Sequence, residues 1–81
     1  MITVYAISSI YHHYIDVGMT ENIEERFKRH NSGREKTTKA YLPFELIFTE
    51  LCENRVEGRK REKYWKSGIG KEKLKRLRKL K

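Results

Sequence analysis

Two short segments of apolar and strand-forming residues lie within the first eighteen positions of the chain, a pattern that predicts β-strands. The segment from Ile2 to Ser8 carries apolar side chains on both faces of the predicted strand. The segment from Tyr14 to Gly18 places Ile15 and Val17 on one face. Because only a short segment separates the two strands, we expect them to form a β-hairpin.

A third strand is predicted from Phe44 to Leu51, after a basic and polar loop at residues 34–43. Simple alternation distributes its apolar side chains over both faces, with Phe44, Leu46 and Phe48 on one face and Ile47 and Leu51 on the other. Such a strand is expected to be covered on both sides by other parts of the chain.

Three helices are predicted from the spacing of apolar residues and from capping signals. The first has Thr20 as its N-cap and runs to His30, with glutamates in its first turns, where the helix dipole favours negative charge. The second covers Arg55 to Lys66. The third runs from about Lys71 to Leu80 and repeats leucine every three residues.

The 81-residue chain has a net charge of +8, and the positive charge is concentrated at its C-terminal end. Residues 59–81 contain twelve basic and two acidic residues, which gives +10, whereas residues 1–58 contain seven basic and nine acidic residues, which gives −2. A concentrated basic surface favours a nucleic-acid partner, although a solvated helix has the same composition. A membrane surface is disfavoured because the basic segment has few Trp, Phe or Leu residues.

The remaining composition argues against several classes of protein. Cys52 is the only cysteine, which excludes an intrachain disulfide and disfavours a closed structural zinc site. No apolar run approaches the length that spans a membrane, and no secretion signal is recognisable at the N-terminus. The sequence therefore predicts a single cytoplasmic domain at residues 1–81, in which residues 71–81 form a basic helix or tail.

One carboxylate of the second helix, Glu62, falls on the face that is expected to pack inward. This face consists of Gly58, Glu62, Trp65 and Ile69. They follow one another at spacings of four, three and four residues, which places them on the same side of a helix. A buried carboxylate is costly unless it is paired or binds a metal ion. Glu62 is therefore either a salt-bridge partner of Arg59 or Lys66, or a ligand of a single Mg²⁺ ion.

Several short motifs occur in order along nearly the whole chain, residues 3–75. Val4-Tyr5 is followed by Asp16-Val17-Gly18, Arg26 follows that glycine by eight residues, and His30 follows Arg26 by four. The later segments are Asn31-Ser32-Gly33, Thr38-Lys39, Pro43-Phe44 and Arg61-Glu62-Lys63. Their order and spacing resemble those of the GIY-YIG nuclease family, in particular its small stand-alone bacterial members.

The resemblance implies an α+β fold with a small three-stranded antiparallel sheet flanked by helices, which agrees with the predicted elements. It also implies hydrolysis of phosphodiester bonds with a divalent metal ion, Mg²⁺ or alternatively Mn²⁺. At the matching positions, Tyr5 is the residue that activates or orients the attacking water, and Arg26 holds the scissile phosphate. His30 assists proton transfer or contacts phosphate, and Glu62 holds the metal ion.

Elementary chemistry suits these roles, but each residue also has an ordinary structural explanation. Arginine donates two hydrogen bonds to phosphate oxygens, whereas a phenol is a poor base unless positive charge lowers its pKa. Arg26 and a metal ion would supply that charge. Otherwise Tyr5 is a core aromatic, and His30 is favoured at a helix C-terminus by the dipole. Arg26 then pairs with Asn22 or Glu25.

Asp16 stands where the GIY-YIG family usually has the tyrosine of its second motif. Loss of that phenol predicts a nucleic-acid-binding module with reduced or no catalysis. Alternatively, the carboxylate is a second metal ligand that faces Glu62, or a better general base than a phenol. A third alternative is that Asp16 points into solvent and has no role.

These observations favour a metal-dependent endonuclease in DNA repair or processing over a binding module and over a basic accessory protein of RNA complexes. DNA is favoured over RNA, and neither a membrane partner nor a small-molecule cofactor is expected. Readout of base sequence should be poor, because no helix-turn-helix, zinc finger or RNA-recognition motif is present. The side chains predicted to contact the nucleic-acid backbone are Lys28, Arg29, Arg34, Lys36, Thr38, Lys39, Arg59, Lys63 and Lys66.

Overall fold

A computed structural model describes residues 1–78 of the protein. Its elements are β1 (Ile2–Ser9), β2 (Ile15–Thr20), α1 (Ile23–Asn31), a short 3₁₀ turn (Lys39–Tyr41), β3 (Phe44–Cys52), α2 (Arg55–Lys66) and α3 (Gly68–Lys75). The strands form one antiparallel sheet in the order β2-β1-β3. The predicted α+β fold, a three-stranded antiparallel sheet flanked by helices, is therefore confirmed.

Two hydrophobic clusters pack on opposite faces of the sheet, and the central strand β1 contributes to both. All eight residues of β1 are buried, because the strand has a neighbour on each edge and helices on each face. One cluster joins Val4 and Ala6 to Trp65 of α2 and Leu74 of α3. The other joins β1 to α1 and to the start of β3, and includes Tyr5, Ile7, Phe44, Ile23 and Phe27.

The side chains of β3 do not alternate regularly between the two faces of the sheet, because the pairing of β3 with β1 contains a bulge. Ala6 pairs with Phe48, but the next residue of β1 pairs with Leu46, so Ile47 is an extra residue in β3. The prediction that Phe44 and Phe48 share a face is therefore wrong. The bulge places these two rings in the clusters on opposite faces of the sheet.

The N-cap of α1 is Asn22, not Thr20 as predicted. Asn22 Oδ1 accepts a hydrogen bond from the backbone N–H of Glu25 at 3.1 Å. Thr20 is the last residue of β2, and its hydroxyl accepts a hydrogen bond from the backbone N–H of Asn22. Because β2 continues to Thr20, the helix begins two residues later than expected.

A break at Ser67 separates α2 from α3. The backbone of Ser67 is extended, and its hydroxyl accepts a hydrogen bond from the N–H of Gly70 at 3.3 Å. The third helix therefore begins at Gly68 rather than at Lys71. Its Leu74 is buried as predicted for a docked helix. The helix ends at Lys75, so the predicted extension to Leu80 is wrong, and Leu77, which follows the helix, is exposed. Leu80 itself lies outside the described residues.

The break also ends the helical face that contains Glu62. Ile69 lies beyond Ser67 and its side chain is exposed, so the prediction that it shares a face with Trp65 is wrong. Gly58 and Trp65, which do lie on α2, are buried as predicted. None of the helices formed by residues 1–78 has the length and apolar character needed to cross a membrane.

Candidate active site

An open polar cleft of about 400 Å³ lies beside the edge strand β2, between α1 and α2. The five residues predicted to perform chemistry, Tyr5, Asp16, Arg26, His30 and Glu62, all line it. These residues come from β1, β2, α1 and α2, so the fold assembles the cleft from segments far apart in sequence.

Tyr5 reaches the cleft because the neighbouring strand has no side chain in its way. Tyr5 pairs with Gly18 across β1 and β2, and the phenol crosses directly over this glycine. A Cβ atom at position 18 would lie 2.5 Å from Tyr5 Oη and 2.7 Å from Cζ, closer than atoms can approach. The glycine of the second motif is therefore required by the position of the tyrosine of the first.

The Tyr5 hydroxyl is held by two side chains of α1. Tyr5 Oη lies 3.1 Å from His30 Nε2, and Arg26 Nε donates a hydrogen bond to the same oxygen at 3.2 Å. On its other side, His30 Nδ1 lies 3.0 Å from Thr38 Oγ1. His30 and Tyr5 are almost completely buried, so neither residue is a solvated surface group.

Hydrogen-bond partners assign the protons of this network. Burial lowers the pKa of His30, although the nearby Asp16 carboxylate raises it, so the imidazole is neutral at pH 7 and carries one proton. Thr38 Oγ1 lies 3.0 Å from His30 Nδ1 and 3.4 Å from the carbonyl oxygen of Glu35. Because Tyr5 Oη already accepts from Arg26 Nε, every proton has an acceptor when His30 Nδ1–H donates to Thr38 and the Thr38 hydroxyl donates to Glu35. His30 Nε2 is then an acceptor, and the Tyr5 hydroxyl donates to it.

Burial also raises the pKa of the Tyr5 phenol, against the opposing effect of the hydrogen bond from Arg26. Arg26 lowers this pKa as expected, but in the metal-free protein the loss of hydration on burial outweighs its effect. Tyr5 is therefore protonated at neutral pH in the metal-free protein. It can accept a proton only if it passes its own to His30.

Arg26 is oriented by Glu35 and not by its helix neighbours. Arg26 Nη1 donates to Glu35 Oε1 at 3.0 Å, and Arg29 Nη2 lies 3.5 Å from the same oxygen. The alternative pairing of the Arg26 side chain with Asn22 or Glu25 is not seen among residues 1–78. About a third of the Arg26 side chain is exposed at the cleft, so part of the guanidinium is accessible to a ligand.

Asp16 does not point into open solvent. Its Oδ2 lies 3.8 Å from His30 Nε2, and only 28% of its side chain is exposed. Burial raises the pKa of Asp16, while His30 and Lys66 act in the opposite direction. Asp16 of β2 pairs with Ile7 of β1, so it stands on the same face of the sheet as Tyr5 and faces the imidazole.

Replacing Asp16 with asparagine is expected to raise the thermal stability of the protein at pH 7. A raised pKa means that the folded state binds this proton more tightly than the unfolded state does. The protonated carboxyl of Asp16 contributes its full stability below the pKa that Asp16 has in the unfolded chain. This contribution is lost as the pH rises through the pKa that Asp16 has in the folded protein. Melting temperatures from circular dichroism at pH 7 and at about pH 4 measure this effect.

The gain in melting temperature should shrink at about pH 4, where the carboxyl of the unfolded chain also becomes protonated. Glu53→Gln is the matched control, since it removes one exposed carboxylate away from the cleft. A lower melting temperature for Asp16→Asn at pH 7 would show that the carboxylate stabilises the fold instead.

Glu62 lies on α2 with 19% of its side chain exposed, and its Oε2 is 3.4 Å from Lys66 Nζ. The predicted salt bridge with Lys66 is therefore present in the metal-free protein. Asp16 and Glu62 are the carboxylates that line the cleft, and hard oxygen donors of this kind are what Mg²⁺ prefers. Within residues 1–78, no group of three or more His, Cys, Asp or Glu is placed to hold a metal ion, so any ion would keep water or phosphate ligands.

Residues 1–76 match the GIY-YIG catalytic domain. The chain belongs to the GIY-YIG family. This places it in a nuclease superfamily and confirms the resemblance of its motifs.

Curated relatives of this GIY-YIG domain include two bacterial proteins. A UPF0213 protein of Clostridium perfringens is 40% identical over 58 residues, which cover 70% of this chain and 62% of the relative. A UPF0213 protein of Bacillus licheniformis is 42% identical over 50 residues, which cover 60% of this chain and 52% of the relative. The aligned part thus spans less than two thirds of either relative. No solved structure is significantly similar to the chain.

Basic side chains of this GIY-YIG domain continue from the cleft along α1 and α2. Two shallow depressions adjoin the cleft. Arg55 and Arg59 line both the cleft and the depression that contains Lys63. Arg26 and Arg55 line both the cleft and the depression that contains Arg29. Arg29 in turn also lines a third depression, which contains Lys28 and Arg34. We call this surface the basic groove; its cationic residues are Arg26, Lys28, Arg29, Arg34, Arg55, Arg59, Lys60, Lys63 and Lys66.

Six of the nine residues predicted to contact nucleic acid lie along the basic groove, namely Lys28, Arg29, Arg34, Arg59, Lys63 and Lys66. Lys36 and Lys39 are exposed on the loop before β3. Thr38 is fully buried, so its side chain is out of reach of a nucleic-acid backbone, and it supports His30 instead.

The lysines of α3 are engaged within the fold. Lys71 Nζ donates to the backbone oxygen of Ile15 at 2.6 Å, and Lys75 Nζ lies 3.1 Å from Glu72 Oε1. None of the residues of α3 lines the cleft or the basic groove. The C-terminal positive charge is therefore divided between the groove face of α2 and a separate surface.

Two residues of the site were missed by the sequence analysis. The cleft residues of α2 follow one another at spacings of four, three and four residues, namely Arg55, Arg59, Glu62 and Lys66. Helical periodicity was therefore a usable signal for Arg55. Glu35 lies in an irregular loop, where no periodicity indicates that its carboxylate orients Arg26.

Proposed function

We propose that this protein is a metal-dependent endonuclease that hydrolyses phosphodiester bonds in DNA, with a role in DNA repair or processing. The observation that carries the proposal is the buried network in which the Tyr5 hydroxyl contacts both His30 and Arg26 at the floor of a basic cleft. DNA is preferred to RNA as the substrate. The GIY-YIG domain supplies the superfamily, and this network supplies a chemical route.

In the proposed reaction, Tyr5 and His30 move the proton of the attacking water. As the water oxygen forms a bond to phosphorus, its proton passes to Tyr5 Oη while the phenol proton passes to His30 Nε2, 3.1 Å away. The imidazolium that forms lies 3.8 Å from Asp16 Oδ2, which stabilises its charge. The bond from phosphorus to the leaving oxygen breaks, and that oxygen takes up a proton from water. His30 then returns its extra proton to Tyr5 as Tyr5 releases its proton to the resulting hydroxide, which restores the network.

Arg26 is proposed to bind the phosphate at which the reaction occurs. Its Nε holds Tyr5 and its Nη1 holds Glu35, which leaves further N–H donors of the guanidinium for phosphate oxygens. Arg55 and Arg59 line the same cleft and add positive charge around the substrate. Because these groups are positioned before the substrate binds, little reorganisation is needed to stabilise negative charge in the transition state.

Glu62, with Asp16 on the facing strand, is proposed to hold a divalent metal ion, Mg²⁺ or Mn²⁺. Such an ion polarises the phosphoryl group and lowers the pKa of bound water. Glu62 would exchange its ion pair with Lys66 for the metal ion, which frees Lys66 for a phosphate of the substrate. Two carboxylates are a usual protein contribution to a Mg²⁺ site that also contains phosphate.

A second candidate function is a nucleic-acid-binding module with reduced or no catalysis. It is favoured by the position of Asp16, whose carboxylate stands in the cleft where the family usually has a phenol. Unless a metal ion neutralises it, this charge repels the phosphate that must approach Tyr5. The basic groove would still bind a nucleic-acid backbone in such a module.

Cleavage assays separate the two functions. The protein is incubated with supercoiled plasmid and with branched DNA, in Mg²⁺, in Mn²⁺ and in a chelator, beside Arg26→Ala. Metal-dependent nicking that disappears in the variant supports the nuclease. If no substrate is cut while binding persists and weakens with salt, the protein is a binding module and Asp16→Tyr becomes the variant to test for a gain of cleavage.

Neutralising two residues of the basic groove is expected to weaken DNA binding and its dependence on salt. Each phosphate contact contributes about −0.9 to the slope of log K against log salt concentration on duplex DNA. The double variant Arg59→Ala with Lys63→Ala should therefore reduce the magnitude of the slope by up to about 1.8. Fluorescence anisotropy with a labelled duplex at several salt concentrations measures it.

The control for this experiment is the double variant Lys75→Ala with Arg76→Ala, which removes the same charge at the end of α3, outside the groove. Its slope should stay close to that of the wild type. Equal reductions in both double variants, or a flat slope for the wild type, would mean that the groove is not the binding surface.

A further inference from the structure

Thr38 is a polar residue of a basic, polar loop, yet its side chain is completely buried beside the candidate active site. Backbone hydrogen bonds hold it there: the N–H groups of Thr38 and Lys39 donate to the carbonyl oxygen of Glu35, and the N–H of Tyr41 donates to the carbonyl oxygen of Thr38. The turn therefore presents Thr38 Oγ1 to His30 Nδ1 at 3.0 Å from a fixed position.

The Thr38 hydroxyl has one proton, and its direction decides that of the whole network. When the proton points to Glu35 O, the hydroxyl accepts from His30 Nδ1–H, and His30 Nε2 accepts from the Tyr5 hydroxyl. In the reverse arrangement, His30 Nε2–H would donate to the Tyr5 oxygen, which already accepts from Arg26 Nε. That oxygen would then face two donors, and the phenol proton would have no acceptor in the network.

We propose that Thr38 is a positioning residue that fixes the proton of His30 on Nδ1 and so keeps Nε2 free to accept the proton of Tyr5. Thr38 does not touch the reacting atoms and acts through the imidazole. The effect on catalysis rests on the proposed nuclease function, whereas the effect on the tautomer of His30 does not.

Removal of the Thr38 hydroxyl leaves His30 Nδ1–H without its acceptor in a buried place, which is unfavourable. The imidazole then gains by moving its proton to Nε2, where Tyr5 Oη and Asp16 Oδ2 lie at 3.1 and 3.8 Å. In this tautomer, Tyr5 has no base to which it can transfer a proton. A valine at position 38 should therefore impair proton transfer without changing the shape of the side chain.

The test compares the full-length wild type with Thr38→Val and Thr38→Ser by ¹⁵N NMR of the labelled histidine ring at about pH 8, above the ordinary histidine pKa. We expect Nδ1–H for His30 in the wild type and in Thr38→Ser, and Nε2–H in Thr38→Val. Thr49→Val, the same chemical change on an exposed strand position, should leave the Nδ1–H signal in place.

In the nuclease assay, Thr38→Val should lower kcat about 10²-fold or more with little change in KM, and Thr38→Ser should restore it. Nε2–H in the wild type, or unchanged Nδ1–H in Thr38→Val, would overturn the proposal. The spectrum of the wild type decides even if the valine variant does not fold. If the wild type has no nuclease activity, the proposed function is wrong, but the ring spectra still test the role of Thr38.

Discussion

Replacing Tyr5 with phenylalanine should lower the rate of DNA cleavage about 10²- to 10⁴-fold, the usual contribution of a positioned proton-transfer group. The change removes only the hydroxyl that stands between His30 Nε2 and Arg26 Nε. It therefore interrupts proton transfer and releases one contact that orients Arg26. Initial rates on plasmid and branched DNA, at saturating metal ion, measure the loss.

The Tyr5→Phe protein should still fold and bind DNA. The ring remains in the cluster with Ile7 and Phe44, and the unpaired imidazole and guanidinium groups cost about 1–3 kcal/mol. Tyr11→Phe is the matched control, because Tyr11 is exposed outside the cleft. Cleavage by Tyr5→Phe at the wild-type rate would exclude the phenol from the chemistry and leave Asp16 or His30 as the candidate base.

Replacing Gly18 with alanine should reduce the rate of cleavage at least about 10²-fold, because the added methyl group displaces the catalytic phenol of Tyr5. The added Cβ would meet Tyr5 Oη at 2.5 Å and Cζ at 2.7 Å, so the phenol must leave its position over β2. Tyr5 is 1% exposed and closely surrounded, which means that the ring cannot move without disturbing its contacts with His30 and Arg26.

The same overlap should destabilise the fold by about 1–3 kcal/mol, the usual cost of overpacking a core. A domain of this size then loses about 4–8 °C in melting temperature per kcal/mol. Gly68→Ala is the matched control, since a Cβ at Gly68 meets no atom within 4 Å. If Gly18→Ala kept both the activity and the melting temperature of the wild type, Tyr5 would not depend on this glycine.

Those parts of the fold that depend on local patterns were predictable from the sequence. Helix α2 begins at Arg55 and ends at Lys66 as predicted, because its charged face lies within these twelve residues and its caps, Asn54 and Ser67, directly flank them. Tyr5 and Gly18 could be placed on neighbouring strands because only a short segment separates the two strands, whereas the pairing of these two residues is known only from the structure. The motif spacing then indicated that Arg26 and His30 belong to the same site.

Features that depend on contacts between distant segments were not predictable. The extra residue Ile47 in β3 reverses the faces of the strand, and only the pairing with β1 reveals it. Thr38 looks like a surface residue in a basic loop, but tertiary contacts bury it against His30. The pKa of Tyr5 rises because its burial outweighs the effect of Arg26, a balance that residue types alone do not determine.

Asp16 stands at the position where the resemblance to the GIY-YIG family predicts a tyrosine. Its carboxylate faces His30 and lines the cleft with Glu62, so it can stabilise an imidazolium or contribute to a metal site. The same burial makes it a destabilising charge at neutral pH. A residue that reduces stability in this way while facing the other polar groups of the cleft is typical of a functional site.

Whether the cleft cuts DNA with a metal ion held by Glu62 is decided by the rate of cleavage as a function of Mg²⁺ concentration, measured for the wild type and for Glu62→Gln. Glutamine keeps the shape of Glu62 and removes its charge, and Glu24→Gln makes the same change at an exposed position of α1. We expect cleavage by the wild type and by Glu24→Gln that requires the metal ion, and no cleavage by Glu62→Gln. Cleavage that persists in a chelator, or that is unchanged in Glu62→Gln, would contradict it.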